Sequence, residues 1–590
     1  MNLEATKTCQ NCRSAFIIED EDLQFYKKIE VPPPTFCPEC RLKRRMLWRN
    51  ERLLHKRKSS LSGEEMISQF SDAVSFPVYS PKEYFSRTWT LPELEYSSER
   101  SFFDQFYELL NKTPQCALLT DLQSLEHGSI YQNGASRNKQ CYMVSASGDN
   151  EDCMYSNNLD YSKFSLDSLW CRRVEFSYDN IDSLDSNKLF FSQECEQCVD
   201  CWFSYNCKNC INCFGCVGLR NKSYCLWNTQ LLKEEYEKEI KTILADLIPE
   251  KISYFRSKLE QLTLLFPYKY MHIDFVSSAT CTGDYIVNSK NIFRGFTIHE
   301  SQDSRYCSKL IAGKECFDMT DWGDPAELCY ECITVGKSAY KVLFSNNCWP
   351  ECREISYCDS CSNSHHLFGC VGLKDASFCI LNKKYSEDEY YKITGNIIKD
   401  MTRRGEYGEF FPKELSPFSY NEAIVQEYFP CNKEKAESRG YMWAIPEERD
   451  YKVTKKPEDL PGNIKDVDGG ILNEVIECAH VGKCNHGCST AFKIIKEELA
   501  FYKRFGLPIP RLCFNCRHGE RFAKRNPMKL WHRKCMCGQL KTEDKKQKMY
   551  QNTAIHKHGD KPCLNEFETS YSPDRKEIVY CEQCYQAEVI

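Results

Sequence analysis

The sequence predicts a mainly β protein with some helix, in which tandem β-solenoid-like repeat units with capping helices are flanked by treble-clef and zinc-ribbon modules. The 590 residues include 38 cysteines, many of them in closely spaced pairs. A cysteine-rich stretch at 207–225 recurs 154 positions later at 361–379. A stretch at 25–40 recurs 476 positions later at 501–516. Two nested duplications therefore organise the chain, which is also too long for one core, since chains beyond roughly 250–300 residues divide into domains.

Composition excludes several classes of protein. The net charge of −6 creates no global field that favours nucleic acid or a membrane surface. No segment approaches the ~18–20 apolar residues of a membrane span, and the first residues lack the basic and apolar regions of a signal peptide. We therefore expect a cytoplasmic, reducing location, in which paired cysteines indicate metal. Extracellular disulfides are the alternative.

The N-terminal module is predicted to span residues 1–95 and to hold one zinc ion. Two pairs of cysteines, each with the spacing C-x2-C, bring four sulfurs within reach of one tetrahedral ion. These predicted ligands are Cys9, Cys12, Cys37 and Cys40. The second pair leads into a predicted helix over 41–58, which is the arrangement of a treble clef.

The predicted helix 41–58 carries nine Lys and Arg residues against one Glu. Such a basic face is typical of proteins that contact the phosphates of nucleic acid. The alternative is a solvated basic helix that packs on an acidic surface of the same protein. The candidate phosphate contacts are Arg41, Lys43, Arg44, Arg45, Arg49 and Arg52.

Two central units are predicted at 96–265 and 266–410. Turn-forming residues recur every 10 to 15 positions between short apolar runs, which favours a β-solenoid with two strands per coil of ~22–24 residues. Small thiols would then stack inside the coils, with Cys141, Cys153, Cys195 and Cys207 in the ladder.

Metal at the central cysteines is the alternative to this ladder. Cys207, Cys210, Cys213 and Cys216 have the spacing of a ferredoxin-type iron–sulfur site, and zinc is a further candidate. The internal duplicate weighs against a metal cluster, because Ser364 and Leu367 stand at the positions of Cys210 and Cys213.

Helices and a linker are predicted around the central units. Helical spacing at 231–262, with a break at Pro249, and at 385–402 predicts helices that cover open sheet edges. Residues 96–137 are predicted to cap the first unit in the same way. Residues 411–477, rich in Pro and charged residues, are predicted to form an extended connector with one short helix.

The C-terminal region repeats the N-terminal one as a treble-clef module at 478–534 and a zinc ribbon at 535–590. Its predicted ligands are Cys484, Cys488, Cys513 and Cys516 in the first module and Cys535, Cys537, Cys563, Cys581 and Cys584 in the second. Cys478 and His486 are further candidates, and the spacing leaves open which of Cys535, Cys537, Cys563, His556 and His558 complete the ribbon site. The N-terminal copy of the ribbon has lost its cysteines, with Ser80 at the position of Cys581. About three zinc ions per chain are expected, and the N-terminal ribbon is expected to keep its fold without metal.

Three motifs together resemble a family of uncharacterised bacterial zinc-ribbon proteins. These are the pattern C-P-x-C-R-x-x-R-R followed by R-N-E-R, the repeats with FGCVGLRNKSY, and the ending FETSYSPDR…VYCEQCYQ. The resemblance supports metal binding and implies no activity.

The sequence contains no P-loop, no G-x-S-x-G, no H-E-x-x-H and no dinucleotide fingerprint. We therefore predict a non-enzymatic zinc-binding scaffold that binds nucleic acid through 41–58. The alternatives are a protein-interaction scaffold with purely structural zinc and a redox protein that uses a cysteine cluster. No small-molecule substrate is indicated, and no membrane partner is expected.

Overall fold

Two large open sheets dominate the computed structural model of the chain. The structure describes residues 5–274, 276–445, 451–538, 550–559 and 561–589. These residues are mostly sheet with several helices, and the two large sheets have nine and twelve strands and do not close on themselves. Residues 446–450 of the predicted linker and 539–549 of the predicted ribbon lie outside the described residues.

The first large sheet is parallel except for its last strand, and its parallel neighbours keep the same offset in sequence apart from one irregularity at Tyr131. Val199 pairs with Ile211, and Ile211 pairs with Ser223. The N–H of Cys198 donates to the Ser186 hydroxyl of the preceding repeat across the same sequence separation of 12. The strands are Tyr131–Asn133, Tyr142–Ser145, Asn157–Asp160, Leu169–Glu175, Leu184–Phe190, Val199–Trp202, Ile211–Phe214, Ser223–Leu226 and Thr229–Gln230.

The second large sheet is also parallel except for its last strand. Its paired residues keep the same offset in sequence, with one extra residue between partners at a few places. Phe296 pairs with Ser308 at the usual offset, whereas Phe317 pairs with Tyr330 at the longer one. Its strands are Gly283–Val287, Lys290–Phe293, Gly295–His299, Gln302–Arg305, Ser308–Lys314, Phe317–Glu327, Tyr330–Ile333, Ala339–Leu343, Arg353–Ser356, His365–Phe368, Ser377–Ile380 and Lys383–Lys384.

A three-residue period underlies this register. Every third residue from Arg137 to Asn212 has a positive φ, so the chain turns after each triplet. The residue after each turn points inward, and Cys195, Cys198 and Cys201 at that position are 0–1% exposed. The small side chains of Cys and Ser are common at this buried position.

The repeat is therefore shorter than the coil predicted from the turn signals. The hydrogen bond from the Ser168 N–H to the Ser156 hydroxyl joins equivalent residues at a sequence separation of 12. Each predicted interval between turns thus corresponds to one whole repeat rather than to one strand. The error arose because three-residue sides are too short to show the two-residue alternation from which strands are usually predicted.

Helices lie against the last parallel strand of each large sheet, at the positions that the duplication predicts. Tyr236 on Lys233–Ala245 packs against Tyr224, with ring centroids 5.8 Å apart. Tyr390 on Glu387–Arg404 packs in the same way against Phe378, at 5.8 Å. Pro249 opens the next helix, Pro249–Thr263, so the predicted break is present.

The helix Phe102–Lys112 was expected to cap the first central unit, but it packs on the second sheet. Phe102 lies 5.4 Å from Tyr357 and 5.3 Å from Phe368, measured between ring centroids. Phe106 stacks on Phe411 at 4.6 Å. The apolar spacing of 96–137 predicted a buried helix face, but spacing alone does not say which surface buries it.

The terminal modules consist of short hairpins and helices. The N-terminal elements are Ala5–Thr8, Ala15–Ile18, Asp20–Lys28, Pro38–Met46, His55–Lys58, Glu65–Ser68, Val78–Tyr79 and Pro81–Ser86, followed by Gln115–Cys116 and Leu122–Glu126. The C-terminal elements are Ile476–Glu477, Ala491–Phe492, Lys496–Phe505, Phe514–Phe522, Trp531–Lys534, Glu566–Thr569, Ile578–Tyr580 and Glu582–Val589. Pro267–Lys269 pairs in parallel with Ile578–Tyr580 and attaches the last module to the segment between the large sheets.

Each treble-clef module packs on the large sheet farther from it in sequence. Phe25 of the N-terminal module stacks on Phe317 of the second sheet at 3.8 Å. Tyr502 of the C-terminal module lies 5.8 Å from Tyr178 of the first sheet. Sequence order does not predict this crossed arrangement.

The predicted connector contributes to the core of the protein. It contains the short helices Val425–Tyr428 and Lys433–Ser438 and the 3-10 turns Lys413–Leu415, Pro457–Asp459, Ile464–Asp466 and Gly469–Asn473. Phe418, Ile424 and Val425 are buried in one cluster with the N-terminal module and the second sheet. Ile464 and Ile471 are buried with the C-terminal module and the first sheet.

Candidate metal centres

Three clusters of four cysteine sulfurs lie in the terminal modules. Within each cluster all four sulfur atoms are within 4.8 Å of one another, so each could hold one metal ion. The clusters are Cys9, Cys12, Cys37 and Cys40; Cys478, Cys488, Cys513 and Cys516; and Cys535, Cys563, Cys581 and Cys584.

The three clusters share one local geometry. In each, the third cysteine precedes a helix, and its backbone N–H donates to the sulfur of the first cysteine. The three N–H···S bonds are Cys37 to Cys9 at 3.2 Å, Cys513 to Cys478 at 3.3 Å and Cys581 to Cys535 at 3.2 Å. A hydrogen-bond donor and a helix N-terminus both favour the thiolate form, which is the form that binds metal.

Proton sharing within the clusters also favours thiolates. A hydrogen bond with Cys37 lowers the pKa of Cys40 to about 5, although burial opposes this shift. A hydrogen bond with Cys535 lowers the pKa of Cys581 to about 4. Both shifts favour the thiolate form, which is the form that binds metal.

The four-sulfur group of this module contains Cys478 at the position for which the spacing predicted Cys484. Cys478 follows the strand Ile476–Glu477 just as Cys9 follows Ala5–Thr8. The loop to Cys488 is longer than the loop from Cys9 to Cys12, and this insertion hid the equivalence in the sequence. Cys484 instead groups with His480, His486 and Cys516, in a half-buried set within 4.8 Å.

Replacing Cys478 and replacing Cys484 are expected to have opposite effects on the metal content of this cluster. Cys478→Ser is expected to lose one metal ion per chain, because it removes a ligand from a closed four-sulfur set. Cys484→Ser is expected to keep that ion. Native mass spectrometry of the intact chain measures both. Loss of an ion in Cys484→Ser with retention in Cys478→Ser would restore the original assignment.

The N-terminal copy of the ribbon is held by a carboxylate where the C-terminal copy holds four sulfurs. In its hairpin Lys58 pairs with Glu65, as Lys534 pairs with Glu566 in the C-terminal hairpin. Ser59 and Ser80 donate to Glu83 at 2.7 and 2.8 Å. Three serines and one glutamate replace the four cysteines, namely Ser59, Ser62, Ser80 and Glu83 for Cys535, Cys563, Cys581 and Cys584.

Glu83 is the centre of this network. Burial opposes its ionisation, but hydrogen bonds from Ser59, Ser62 and Ser80 lower the pKa of Glu83 to about 2. The backbone N–H of Ser80 also donates to it, at 2.8 Å. A fixed anion that accepts several hydrogen bonds therefore occupies the place of the four thiolates.

The predicted basic helix 41–58 ends early, and its arginines do not form an exposed phosphate-binding face. The helix is Pro38–Met46, and His55–Lys58 is a strand. Arg41 and Arg45 are 1% and 0% exposed. Their partners are carboxylates of the second sheet, so the arrangement corresponds to the alternative of packing on an acidic surface.

The buried cations of this region pair with carboxylates as follows. Arg41 contacts Asp318 at 2.7 Å, Arg44 contacts Glu331 at 2.9 Å and Glu409 at 2.8 Å, Arg45 contacts Asp318 at 3.3 Å and Glu331 at 3.4 Å, and Arg49 contacts Glu51 at 2.8 Å and Asp321 at 3.0 Å. Of the other two predicted contacts, Arg52 pairs with Glu427 at 2.7 Å, and Lys43 pairs with Glu39 and lies over the ring of Phe429.

An equivalent row of arginines lies on the C-terminal helix Phe514–Phe522 and just beyond it. Arg517, Arg521 and Arg525 stand 476 positions after Arg41, Arg45 and Arg49, so the duplication itself was the available signal. Their partners lie on the first sheet: Arg517 and Arg521 share Asp167 at 2.9 and 2.8 Å, Arg521 reaches Asp179 at 3.3 Å, and Arg525 reaches Asp182 at 2.9 Å.

The two arginine rows explain how the modules dock. Arginines four residues apart lie on one helix face. Asp167 and Asp179 stand at equivalent positions of adjacent parallel repeats, since each directly follows a residue of the pair Leu166 and Tyr178. The spacing of Arg517 and Arg521 along the helix therefore suits the spacing of Asp167 and Asp179 on adjacent parallel repeats.

Comparisons with known proteins identify no family for the chain. No protein-family model matches it. No curated protein matches it. Among solved structures, a "putative acetyltransferase" from Desulfovibrio desulfuricans G20 is similar at 10% identity over 46% of this chain and 80% of that chain. The TM-score is 0.09, so this likeness carries no argument.

The central cysteines have an interior environment. Cys198 donates to the carbonyl oxygen of Glu196 at 3.4 Å, as the hydroxyl of Ser183 donates to that of Ile181 at 3.0 Å. Cys and Ser thus fill the inward position in the same way. Among the described residues, all groups of Cys, His and acidic side chains that could hold a metal lie in the terminal modules.

Disulfides and helices that could cross a membrane are both absent from the described part of the chain. None of the described cysteines is in a disulfide. None of the described helices has both the length and the apolar character that a membrane crossing requires.

Proposed function

We propose that this protein is a non-enzymatic scaffold in which structural zinc holds the terminal modules in shape. The observation that carries the proposal is the set of three four-sulfur clusters with the same N–H···S bond. Four thiolates suit Zn²⁺ and leave no open position for water or substrate. Such centres stabilise a fold rather than activate a nucleophile.

The large sheets are the second part of the proposal. A parallel register that repeats from Val199 to Ile211 to Ser223, together with a turn after every third residue, supports a β-solenoid whose coils each have four short sides. The inward thiols then form the ladder expected from the sequence. Described cysteines without a disulfide among them fit a reducing compartment such as the cytoplasm.

Protein–protein scaffolding is favoured over nucleic-acid binding by the environment of the arginines. Four of the six candidate phosphate contacts are buried against carboxylates. Releasing them would leave buried acids without partners, which costs several kcal/mol for each pair. Membership of the bacterial zinc-ribbon family is proposed on the sequence motifs alone.

Metal identity tests the first part of the proposal. Protein purified without added metal is expected to contain zinc at three or more ions per chain and no iron, measured by inductively coupled plasma mass spectrometry. The expectation of three follows from the three four-sulfur clusters. A coloured protein with iron at these clusters, or a chain with less zinc than three, would contradict it.

Salt-dependent binding distinguishes the two partner classes. Fluorescence anisotropy with labelled duplex DNA and single-stranded RNA is expected to show no specific salt-dependent complex. A protein with several phosphate contacts loses on the order of 10³–10⁵ in affinity between about 50 and 200 mM salt. If such a slope appears, Lys56→Ala with Lys58→Ala will show whether it arises at the exposed lysines of His55–Lys58.

A further inference from the structure

The C-terminal ribbon contains a second group of metal-ligand side chains beside its four-sulfur cluster. Cys537, His556, His558 and Cys584 each offer a ligand atom within 4.8 Å of the others. Cys537, His556 and Cys584 are 0%, 6% and 3% exposed, and His558 is half-buried. Cys584 belongs to both groups, whereas Cys537 has no place in the four-sulfur cluster.

Each histidine of the group has one ring nitrogen bound to an acceptor and the other directed at a sulfur. His556 Nε2 lies 3.0 Å from Glu588 Oε2, and its Nδ1 lies 3.5 Å from the sulfur of Cys537. His558 Nδ1 lies 2.6 Å from the carbonyl oxygen of Lys561, and its Nε2 lies 3.4 Å from the sulfur of Cys584.

These contacts define the tautomers. A carbonyl oxygen only accepts hydrogen bonds, as does an ionised carboxylate, so the proton of each neutral ring lies on the nitrogen that faces the oxygen. The other nitrogen of His556 and of His558 then presents its lone pair to the interior of the group. Metal-bound histidines show this pattern, in which the remaining N–H donates to a carboxylate or a backbone carbonyl.

The acceptor of His556 is itself held in place. Glu588 has a fully buried side chain. It accepts from the Tyr550 hydroxyl at 2.7 Å and from the backbone N–H of Thr553 at 2.6 Å. The side-chain amide of Asn552 donates to the sulfur of Cys537 at 3.2 Å, as expected of a donor beside a thiolate ligand. The group is therefore oriented by a surrounding shell of hydrogen bonds.

Two comparisons within the molecule set this group apart. The group of His480, Cys484 and His486 is half-buried, and neither histidine Nδ1 there has a hydrogen-bond partner among the described residues. In the metal-less N-terminal ribbon, the position of Cys537 is taken by Leu61, which is 49% exposed. The second group and the four-sulfur cluster are thus present together in one copy and absent together from the other.

We propose that Cys537, His556 and His558 bind an additional zinc ion, with the Cys584 thiolate shared between it and the ion of the four-sulfur cluster. This proposal deepens the proposed function and rests on it, since both concern zinc in the same module. Nitrogen and sulfur ligands of this kind suit Zn²⁺. Binding releases the protons of any ligand thiol that is not already ionised.

Two substitutions at His556 distinguish its role as a metal ligand from its role as a hydrogen-bond donor. His556→Gln keeps a donor for Glu588 but removes the nitrogen ligand, and His556→Cys supplies a sulfur ligand but no donor. In the intact chain, native mass spectrometry is expected to count four zinc ions in the wild type and in His556→Cys, and three in His556→Gln and Cys537→Ala. The number four is the three four-sulfur clusters plus this site.

His532→Gln is the matched control. His532 lies on Trp531–Lys534 of the same module, is 60% exposed and pairs with two glutamates, so this variant is expected to keep four ions. Cobalt substitution provides a second readout that does not depend on the count. The His556→Gln protein should lose a mixed nitrogen–sulfur absorption and keep the four-sulfur absorption.

The possible outcomes separate this proposal from the proposed function. Three zinc ions in the wild type, unchanged by Cys537→Ala and His556→Gln, overturn the additional site and leave the scaffold proposal intact. Fewer than three in the wild type contradict the proposed function itself. Loss of two ions in His556→Gln together with loss of the four-sulfur cobalt absorption would show that the module has unfolded. In that case retention of four ions by His556→Cys supports the site, and their loss overturns it.

Discussion

Removal of zinc from the intact chain is expected to unfold the terminal modules and to leave the large parallel sheets folded. Structural zinc contributes roughly 10–16 kcal/mol in small zinc modules, which is as much as the whole stability of a typical domain. The large sheets contain no cysteine of the metal-ligand groups found among the described residues, and they bury apolar side chains of their own.

Hydrogen exchange before and after chelation measures this difference along the chain. Amides of the helices Pro38–Met46, Phe514–Phe522 and Glu582–Val589, which follow the three clusters, should lose protection. Amides of Leu184–Phe190 and Phe317–Glu327 should keep theirs.

The metal-less ribbon is the internal control for chelation. It has the hairpin of its C-terminal copy, but Glu83 and serines replace the cysteines. Its hairpin His55–Lys58 with Glu65–Ser68 should exchange more slowly after chelation than Trp531–Lys534 with Glu566–Thr569. Equal loss of protection in the two hairpins, or unchanged protection in all the helices, would contradict a structural role for the metal.

Asp167→Ala is expected to release the C-terminal helix Phe514–Phe522 from the first sheet. Asp167 has a fully buried side chain and pairs with both Arg517 and Arg521. Breaking a buried ion pair from one side costs about 3–5 kcal/mol, because the remaining charge stays buried without compensation. Local opening of the helix should therefore increase on the order of a hundredfold to a few thousandfold.

The duplicated docking site supplies the control for this substitution. Asp318→Ala should increase exchange in Pro38–Met46 and leave Phe514–Phe522 protected, whereas Asp167→Ala should do the reverse. Glu151→Ala removes exposed ion pairs with Lys139 and Lys163 and should leave the exchange of both helices unchanged. If Asp167→Ala raises exchange in both helices equally, the two modules are not docked independently.

Replacing both partners of one buried ion pair tests whether the pair stabilises the docking or specifies it. Arg521→Met with Asp167→Leu should recover part of the loss, because apolar groups of similar volume often replace buried ion pairs without cost. A double variant as damaging as Asp167→Ala alone would indicate that Arg517, left with only Glu498 at 3.5 Å, dominates the penalty.

Local sequence predicted the cysteines of the terminal modules that could bind metal, with one exception. The N-terminal cluster has two C-x2-C pairs, and a spacing of this kind places both sulfurs of a pair beside one ion. In the C-terminal module Cys478, the first cysteine of the four-sulfur group, precedes a long insertion, and only the strand before it and the N–H of Cys513 show its equivalence to Cys9. Spacing is informative when the loop is short and misleading when the loop has grown.

The partner of the basic segment could not be predicted in the same way. Arg41 and Arg45 have the composition of a phosphate-binding face, and composition does not distinguish a phosphate outside the protein from Asp318 inside it. The same holds for Phe102. Its spacing predicted that the side chain is buried, but only the contacts with Tyr357 and Phe368 show on which sheet it is buried.

Local sequence by itself determined which residues could form the metal clusters, where the duplications lie and which side chains point into the repeats. These properties depend on spacing along the chain, because knuckles, triplets and helix faces are built from neighbours in sequence. Only the tertiary structure decided which sheet each module docks on and which carboxylates neutralise the arginines. Those contacts join residues roughly 270 to 370 positions apart, as with Arg45 and Asp318 or Arg521 and Asp167, so they depend on how the large surfaces fit and not on any local pattern.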